Sequence, residues 1–395
     1  MTTAWTSQPI GELGDVVTGT TPPSAEPRLF GSEYPFLTPT DMSYATRHVR
    51  TERFISAAGK TRFASRLLPP SSVCFVSIGA TIGKIAMTSE STLTNQQINS
   101  LIVDTAEHVP EFVYYLLRHH SESIRQRAGG AATPLLNKTT FSRVTLQVPP
   151  RPVQERIAAL LTVYDELIEN NLRRIEILEE MAQTIYREWF VEFRYPGFGD
   201  VSMVDSDLGP IPVGWCVGTL DNLLVLQRGF DLPRKTQREG SVPVIAATGH
   251  RGTHEQARAK GPGVVTGRSG SLGTVQYVNE DFWPLNTTLW GKEFRSATPE
   301  LAFFVLKSIG LQQFNSGAAV PTLNRNDVSG HPVVVPPANI VGRFSELTGE
   351  MFELQFLLER QTAVLRITRD LLIPKLISGE IDVSDLDIDT SWLAA

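Results

Sequence analysis

The sequence predicts an α/β protein of the α+β type, in which two mixed α/β globular domains are separated by a pair of long helices that form an antiparallel coiled coil. Three observations predict this fold: a segment that occurs twice, a long helical stretch after each copy, and a length of 395 residues, too great for one ordinary core. The predicted boundaries are 1–150 for the first domain, 151–195 for the first helix, 196–338 for a linker and the second domain, and 339–395 for the second helix and tail.

The repeat is clearest at PLLNKTTFSRVTLQVPP (134–150) and PTLNRNDVSGHPVVVPP (321–337), which share a Pro-x-Leu-Asn turn and a Val-Pro-Pro ending. A predicted helix that begins at proline precedes each copy, at Pro110 and at Pro299. Farther upstream, TNQQI (94–98) corresponds to LNTTL. Short segments rich in Val, Ile and Phe lie between these motifs and predict strands. The chain is therefore an internal repeat with pseudo-twofold organisation.

A heptad pattern follows each domain. Neither Gly nor Pro occurs from Val153 until Pro196, and Pro374 ends the second stretch. A 3.5-residue period predicts a coiled coil, in which a polar residue such as Asn171 or Gln361 can fix the register; two helices in a larger helical core are the alternative. The predicted seam comprises Ile157, Leu161, Tyr164, Ile168, Asn171, Ile175, Leu178, Ala182, Ile185 and Trp189 in the first helix and Phe344, Leu347, Met351, Leu354, Leu358, Gln361, Leu365, Thr368 and Leu372 in the second.

Composition indicates a globular protein that is neither secreted nor membrane-bound. No stretch resembles a signal peptide and no run of about 18 apolar residues occurs, so we expect a cytoplasmic protein without a membrane partner. Cys74 and Cys216 lack the spacing of a metal or redox site, and we expect both to be buried. The net charge is −6, but both domains are mildly basic, whereas the helices and linker are acidic. This distribution leaves the domains compatible with nucleic acid.

Catalytic and metal-binding motifs are incomplete. SIGATIGKI has the wrong glycine spacing for a phosphate loop, and Ile85 follows Lys84 where a Ser or Thr would hold magnesium. The pair His250 and His254 lies among glycines that disfavour the helix a zinc site requires. No Pro-Pro pair has the sequence context of an amino-group DNA methyltransferase. We predict no catalytic residue and no metal site in this chain.

Polar loops are the better candidates for function. The segment from Thr94 to Asn99 contains four carboxamides, which can contact adenine in the major groove or can instead cap turns within the fold. Arginines recur at Arg47, Arg50 and Arg53, and a second basic cluster surrounds Phe230. Solvated surface charge is the alternative for each of these cations.

The chain resembles the specificity subunit of type I restriction-modification systems over nearly all of residues 5–385. The motifs that carry the resemblance are the two Pro-x-Leu-Asn…Val-Pro-Pro segments, ATIGK followed by TNQQI, VPPRPVQERIAALL, REWF, LGPIPVGW and LLIPKLISGEI. The resemblance implies two target-recognition domains, each reading one half of a bipartite DNA site. The candidate DNA-binding residues are Thr38, Asp41, Arg47, Ser77, Thr81, Lys84, Asn95, Gln96, Gln97, Lys138, Arg228, Arg234, Lys235, Arg268, Ser269, Ser271, Asn286 and Arg325.

The resemblance also implies partners. They are double-stranded DNA, two modification subunits that dock on the coiled coil and carry S-adenosylmethionine, and restriction subunits that use ATP and magnesium. No cofactor is expected in this chain, and the coiled coil is expected to set the spacer between the half-sites. A protein-only coiled-coil scaffold and an enzyme with two catalytic domains of unrecognised type remain alternatives.

Overall fold

The computed structural model describes residues 5–43, 46–129, 134–197, 199, 202–317 and 321–391. The chain divides into two compact units, Met1–Leu172 with Gln361–Ala395 and Arg173–Arg360. Each unit boundary falls inside a long helix, so each unit combines one globular domain with part of both helices. Two mixed helix-and-strand units confirm the predicted fold class.

The first unit contains two four-stranded sheets. The first has the order β2-β9-β6-β7 and is antiparallel; the second has the order β3-β5-β4-β8, with β4 and β8 parallel; β1 pairs with β10. The strands are β1 (Thr6–Pro9), β2 (Gly14–Thr18), β3 (Phe30–Gly31), β4 (Tyr34–Leu37), β5 (Phe54–Ile55), β6 (Val73–Val76), β7 (Ile85–Met87), β8 (Leu93–Thr94), β9 (Ile98–Val103) and β10 (Thr145–Val148). The helices are α1 (Ala57–Arg62), α2 (Pro110–His119), α3 (Ser121–Arg125), α4 (Lys138–Ser142) and α5 (Arg151–Tyr186).

The second unit repeats this plan. Its four-stranded sheet has the order β14-β20-β17-β18, which matches β2-β9-β6-β7, and β16-β15-β19 forms a smaller sheet beside it. The strands are β11 (Met203–Val204), β12 (Ile211–Pro212), β13 (Cys216–Thr219), β14 (Leu224–Arg228), β15 (Val242–Ala246), β16 (Gly249–His254), β17 (Gly263–Gly267), β18 (Val275–Val278), β19 (Trp283–Pro284), β20 (Thr288–Phe294) and β21 (Pro332–Val335). The helices are α6 (Leu220–Leu223), α7 (Pro299–Ser308), α8 (Arg325–Ser329) and α9 (Ala338–Ile377).

The repeated Pro-x-Leu-Asn motif has the same structural role in both units. Asn137 caps α4 by accepting a hydrogen bond from the Thr140 N–H at 2.8 Å, and Asn324 caps α8 by accepting one from the Asn326 N–H at 3.1 Å. Leu136 and Leu323 are buried in the cores of their units. The shared residues therefore specify a helix cap and a core contact, which explains why both copies retain them.

Within each unit the two long helices pack antiparallel. In the first unit the Asn171 amide donates a hydrogen bond to the Gln361 side chain at 3.2 Å, as a register-fixing polar pair should. In the second unit the Gln355 amide lies 3.5 Å from the Ile175 carbonyl. All nine predicted seam positions within α5 are buried or half-buried, and the tenth, Trp189, is half-buried just beyond it. The helix ends in a π-helical turn, Arg187–Val191, before the predicted limit at residue 195.

Seven of the nine predicted seam positions of α9 are buried or half-buried, and Leu347 and Gln361 are exposed. The seam also contains buried polar residues that were not predicted, each one position after a predicted residue: Thr348, Gln355, Thr362 and Arg369. Apolar periodicity could not reveal this seam because every second position along it is polar.

Two further expectations are wrong. Pro374 does not end α9, which continues to Ile377, because a proline removes one helical N–H bond while the neighbouring Ile373 and Leu376 remain in the core. Cys216 is exposed, since it lies on β13, a two-stranded ladder with β21 whose first residues face solvent. Cys74 is buried as expected, and burial raises the pKa of its thiol to about 12. Among the described residues, no helix is both long and apolar enough to cross a membrane.

Candidate nucleic-acid interface

Four loops of the first unit converge at one end of the sheet β2-β9-β6-β7. This end is where β2 and β6 finish and where β9 and β7 begin, so the loops that join these strands meet there. Backbone hydrogen bonds tie the loops together: Thr20 N–H to Thr94 C=O (2.8 Å), Ser77 N–H to Gln97 C=O (2.7 Å), Gly79 N–H to Pro134 C=O (3.0 Å) and Leu136 N–H to Ser77 C=O (2.8 Å). The amide-rich segment is thus held against its neighbours at the rim of the domain.

The second unit has the same arrangement at the equivalent end of β14-β20-β17-β18. The corresponding bonds are Phe230 N–H to Pro284 C=O (2.8 Å), Arg268 N–H to Thr287 C=O (2.8 Å), Gly270 N–H to Pro321 C=O (2.9 Å) and Leu323 N–H to Arg268 C=O (2.8 Å). Four loops with matching bonds recur in units whose sequences differ. We name the two loop clusters the first and second loop ends.

Two glycines show which residues of the amide loops are equivalent. A Cβ atom at Gly19 would lie 2.2 Å from the Asn95 carbonyl oxygen, and one at Gly229 would lie 2.1 Å from the Leu285 carbonyl oxygen. Such close backbone contacts tolerate only glycine. Asn95 therefore corresponds to Leu285 in the structure.

This equivalence corrects the sequence alignment. Aligning TNQQI with LNTTL pairs Asn95 with Asn286, whereas the structure pairs Gln96 with Asn286, one residue later. Both side chains contact the loop after the first strand of their sheet: Gln96 accepts a hydrogen bond from Thr21, and Asn286 donates one to Asp231. Sequence analysis missed Thr21 and Asp231, although each lies two residues after a glycine that its loop requires.

The four carboxamides of the first loop end have different roles. The Asn95 side chain, which is buried, accepts a hydrogen bond from the Gln97 N–H at 3.0 Å and donates one to the Gln97 side chain at 3.1 Å. Asn99 is buried and donates to the Leu136 carbonyl at 3.0 Å. Gln96 is exposed. Three amides thus stabilise the loop, and Gln96 faces solvent.

The other polar candidates of the first unit mostly stabilise its loops. The Asp41 carboxylate accepts hydrogen bonds from the Thr38 N–H and hydroxyl at 2.8 and 2.6 Å, and the Lys84 ammonium donates to two backbone carbonyls, at 3.2 and 2.7 Å. Ser77 is buried, and its hydroxyl donates to the Phe75 carbonyl. Thr81 is half-buried, and Lys138 is exposed at the start of α4.

Arg47 lies away from the first loop end. Its side chain is 6% exposed, and its guanidinium donates a hydrogen bond to the Thr162 hydroxyl on α5 at 3.0 Å. A guanidinium in this position cannot reach a phosphate without leaving its pocket. Arg66, which the sequence did not single out, is exposed beside the loop end and donates to the Thr18 carbonyl at 2.6 Å.

The second loop end is bordered by cations. The predicted residues Arg228, Arg234, Lys235 and Arg325 are exposed, whereas Arg268, Ser269 and Ser271 are half-buried. A cavity of about 350 Å³ beside Asn286 is lined by Asp231, Arg234, Gln237 and Arg251 among others. Within the described residues, no group of three or more His, Cys, Asp or Glu side chains could hold a metal ion.

Comparison with known proteins shows which family this chain resembles. Residues 3–180 match the sequence model of the type I restriction modification DNA specificity domain. The MjaIX type I restriction enzyme specificity subunit of Methanocaldococcus jannaschii is 27% identical over 416 aligned residues, which cover 97% of this chain and 94% of that protein. The chain is similar to specificity subunits of type I restriction enzymes over almost its whole length. The resemblance that the sequence motifs carry is thereby confirmed.

Two further specificity subunits are similar to this chain. The HindI specificity subunit of Haemophilus influenzae is 29% identical over a region that covers 44% of this chain and 39% of that protein. The crystal structure of the type I specificity subunit from M. genitalium superposes with a TM-score of 0.68, covering 95% of this chain and 96% of that chain at 16% identity. The structural similarity shows that the two chains share a fold.

Proposed function

We propose that each loop end of this specificity subunit contacts one half of a bipartite site in double-stranded DNA, and that the chain itself catalyses no reaction. The observation that carries the proposal is the recurrence of the same bonded loop cluster in both units, with an outward carboxamide at the equivalent position of each. Two similar recognition surfaces in one chain suit a site made of two half-sites. Exposed cations at both loop ends suit contacts with phosphate.

Gln96 is the base-contacting candidate at the first loop end. Replacing Gln96 with alanine is expected to weaken binding to the cognate half-site by about 1–3 kcal/mol, because a carboxamide can make two hydrogen bonds to a base edge. Binding to unrelated duplex should be unchanged, since that binding depends on phosphate contacts. Fluorescence anisotropy at fixed salt, with the subunit assembled with its modification partner, measures both affinities.

The matched control is Gln147→Ala, which removes an exposed glutamine from β10 in the same unit. It should bind both duplexes as the wild type does. Equal weakening on cognate and unrelated duplex by Gln96→Ala would contradict base recognition by this residue.

The long helices carry an apolar surface that suits a protein partner. On α9, Val364, Ile367 and Leu371 are each more than 60% exposed and follow one another at spacings of three and four. On α5, Ile177 and Met181 are exposed with a spacing of four. Aligned apolar side chains in contact with water mark interaction sites. We propose that modification subunits cover these surfaces, one on each unit.

This assignment places the chemistry on the partners. The modification subunits would carry S-adenosylmethionine, and the restriction subunits would use ATP and magnesium, so this chain would need no cofactor. Among the described residues of the two loop ends, no arrangement of side chains supports the catalytic alternative. The scaffold alternative does not account for two matching loop clusters bordered by cations.

A triple variant tests the docking surface. Replacing Val364, Ile367 and Leu371 with glutamine is expected to weaken binding of the modification subunit by at least about 100-fold, because each apolar side chain loses its burial. Glutamine preserves helix propensity, so circular dichroism should be unchanged. Isothermal titration calorimetry measures the affinity.

A control triple variant replaces the exposed charged residues Arg343, Glu346 and Glu350 of the same helix with glutamine. Its affinity for the modification subunit should remain within a few-fold of the wild type. Wild-type affinity in the apolar variant would show that the partner binds elsewhere.

A further inference from the structure

Asn286 differs from the equivalent Gln96 in that its neighbour fixes its orientation. The side-chain nitrogen of Asn286 donates a hydrogen bond to the Asp231 carboxylate, and an ionised carboxylate can only accept. The amide nitrogen must therefore face Asp231, and the amide oxygen must face away. At the first loop end the partner is the Thr21 hydroxyl, which can donate or accept, so the Gln96 amide is not fixed in this way.

The fixed amide retains the two groups that recognise adenine. An asparagine amide has two N–H groups and one oxygen, and Asp231 occupies one N–H. The remaining N–H and the oxygen are the pair that contacts N7 and the N6 amino group of adenine in the major groove. Asn286 is half-buried and lines the cavity at the second loop end, so part of the residue is accessible from outside.

The surroundings explain how a carboxylate can lie at a DNA-binding surface. Asp231 is 71% exposed, and the guanidinium of Arg228 lies 3.9 Å from its carboxylate. Arg234 and Arg251 line the adjoining cavity. These cations offset the repulsion between Asp231 and phosphate and can themselves contact phosphate. The negative charge of Asp231 disfavours a position near phosphate. Its role at this surface is to hold the Asn286 amide in one orientation.

We infer that Asn286 recognises one adenine in the half-site read by the second unit, and that Asp231 is its positioning residue. This inference rests on the proposed function, because it assigns a base to one side chain of the second loop end. The two units should therefore differ in base selectivity. The second unit should accept only adenine at this position, and the first should accept more than one base at the equivalent position.

The test maps the methylated motif produced by the complete complex of specificity and modification subunits. With Asn286→Ala, one adenine position of one half-site should lose about 10- to 100-fold of its selectivity, while the other half-site and the spacer stay the same. Asp231→Ala should relax the same position by a smaller factor. Asn286→Gln, which preserves the amide, should recover part of the selectivity.

The control for the loss of a negative charge in Asp231→Ala is Glu239→Gln, which removes one negative charge from an exposed position of the same unit. With this variant, the complex should be as selective as the wild type at every base of the motif. An unchanged motif with Asn286→Ala, or relaxation at a base other than adenine, would overturn the assignment of Asn286. Wild-type selectivity for adenine at that position with Asp231→Ala would overturn the positioning role of Asp231. Absence of any bipartite motif with the wild-type complex would instead contradict the proposed function itself.

Discussion

Replacing Asp165 with alanine is expected to destabilise the first unit by about 3 kcal/mol, the largest effect we expect from a single substitution in this chain. Asp165 and Arg369 form an ion pair with side chains 0% and 1% exposed. The Tyr115 hydroxyl also donates a hydrogen bond to Asp165, at 2.5 Å. Removing the carboxylate leaves the guanidinium buried, but Asp370 still forms an ion pair with it, which keeps the cost near the lower end of the range for broken buried pairs.

Chemical denaturation followed by circular dichroism measures this loss. The double variant Asp165→Leu with Arg369→Met is the informative control, because replacing a whole buried pair with apolar side chains of similar size is often neutral. It should recover most of the lost stability. Breaking the exposed pair of Glu122 and Arg125 by Glu122→Ala should have little effect. An Asp165→Ala protein as stable as the wild type would show that the pair does not stabilise the unit.

The same ion pair explains what the sequence could not predict about α9. A heptad pattern is recognised by its apolar residues, so it included the exposed Leu347 and omitted the buried Thr348 and Arg369. Whether Arg369 is buried depends on Asp165, which lies 204 residues away in the chain. No local pattern carries that information. By contrast, the proline at the start of α2 is a local signal, and the helix predicted from it is confirmed. Pro-x-Leu-Asn predicted only a turn, and the structure shows that its asparagine caps the short helix α4.

The candidate interface, like α9, could be predicted only in part from local sequence patterns. The amide-rich segment was recognisable from composition, but which of its side chains face solvent depends on hydrogen bonds between loops. The equivalence of Gln96 and Asn286 follows from glycine contacts that no residue similarity records. Arg47 shares its spacing with Arg50 and Arg53, yet its guanidinium binds to α5. Sequence spacing cannot distinguish a cation that faces the core from one that faces solvent.

Lengthening both long helices by one heptad is expected to change the DNA site in a defined way. A copy of residues 166–172 inserted after Leu172, with a copy of 354–360 inserted after Arg360, adds seven residues at each boundary between the units. The helical seam stays in phase, and each unit keeps its own contacts. Seven residues lengthen an α-helix by about 10.5 Å, which corresponds to roughly three base pairs of duplex. Inserting three residues at each boundary shifts the seam and should impair folding or assembly.

Mapping of methylated adenines with the heptad-extended subunit in its complete complex tests the account most directly. If the two loop ends read two half-sites and the long helices set the spacer between them, both half-site sequences should remain those of the wild type. The spacer should grow by about three base pairs. An unchanged spacer in a folded and assembled variant, or a wild-type motif without two separate halves, would contradict these roles of the loop ends and helices.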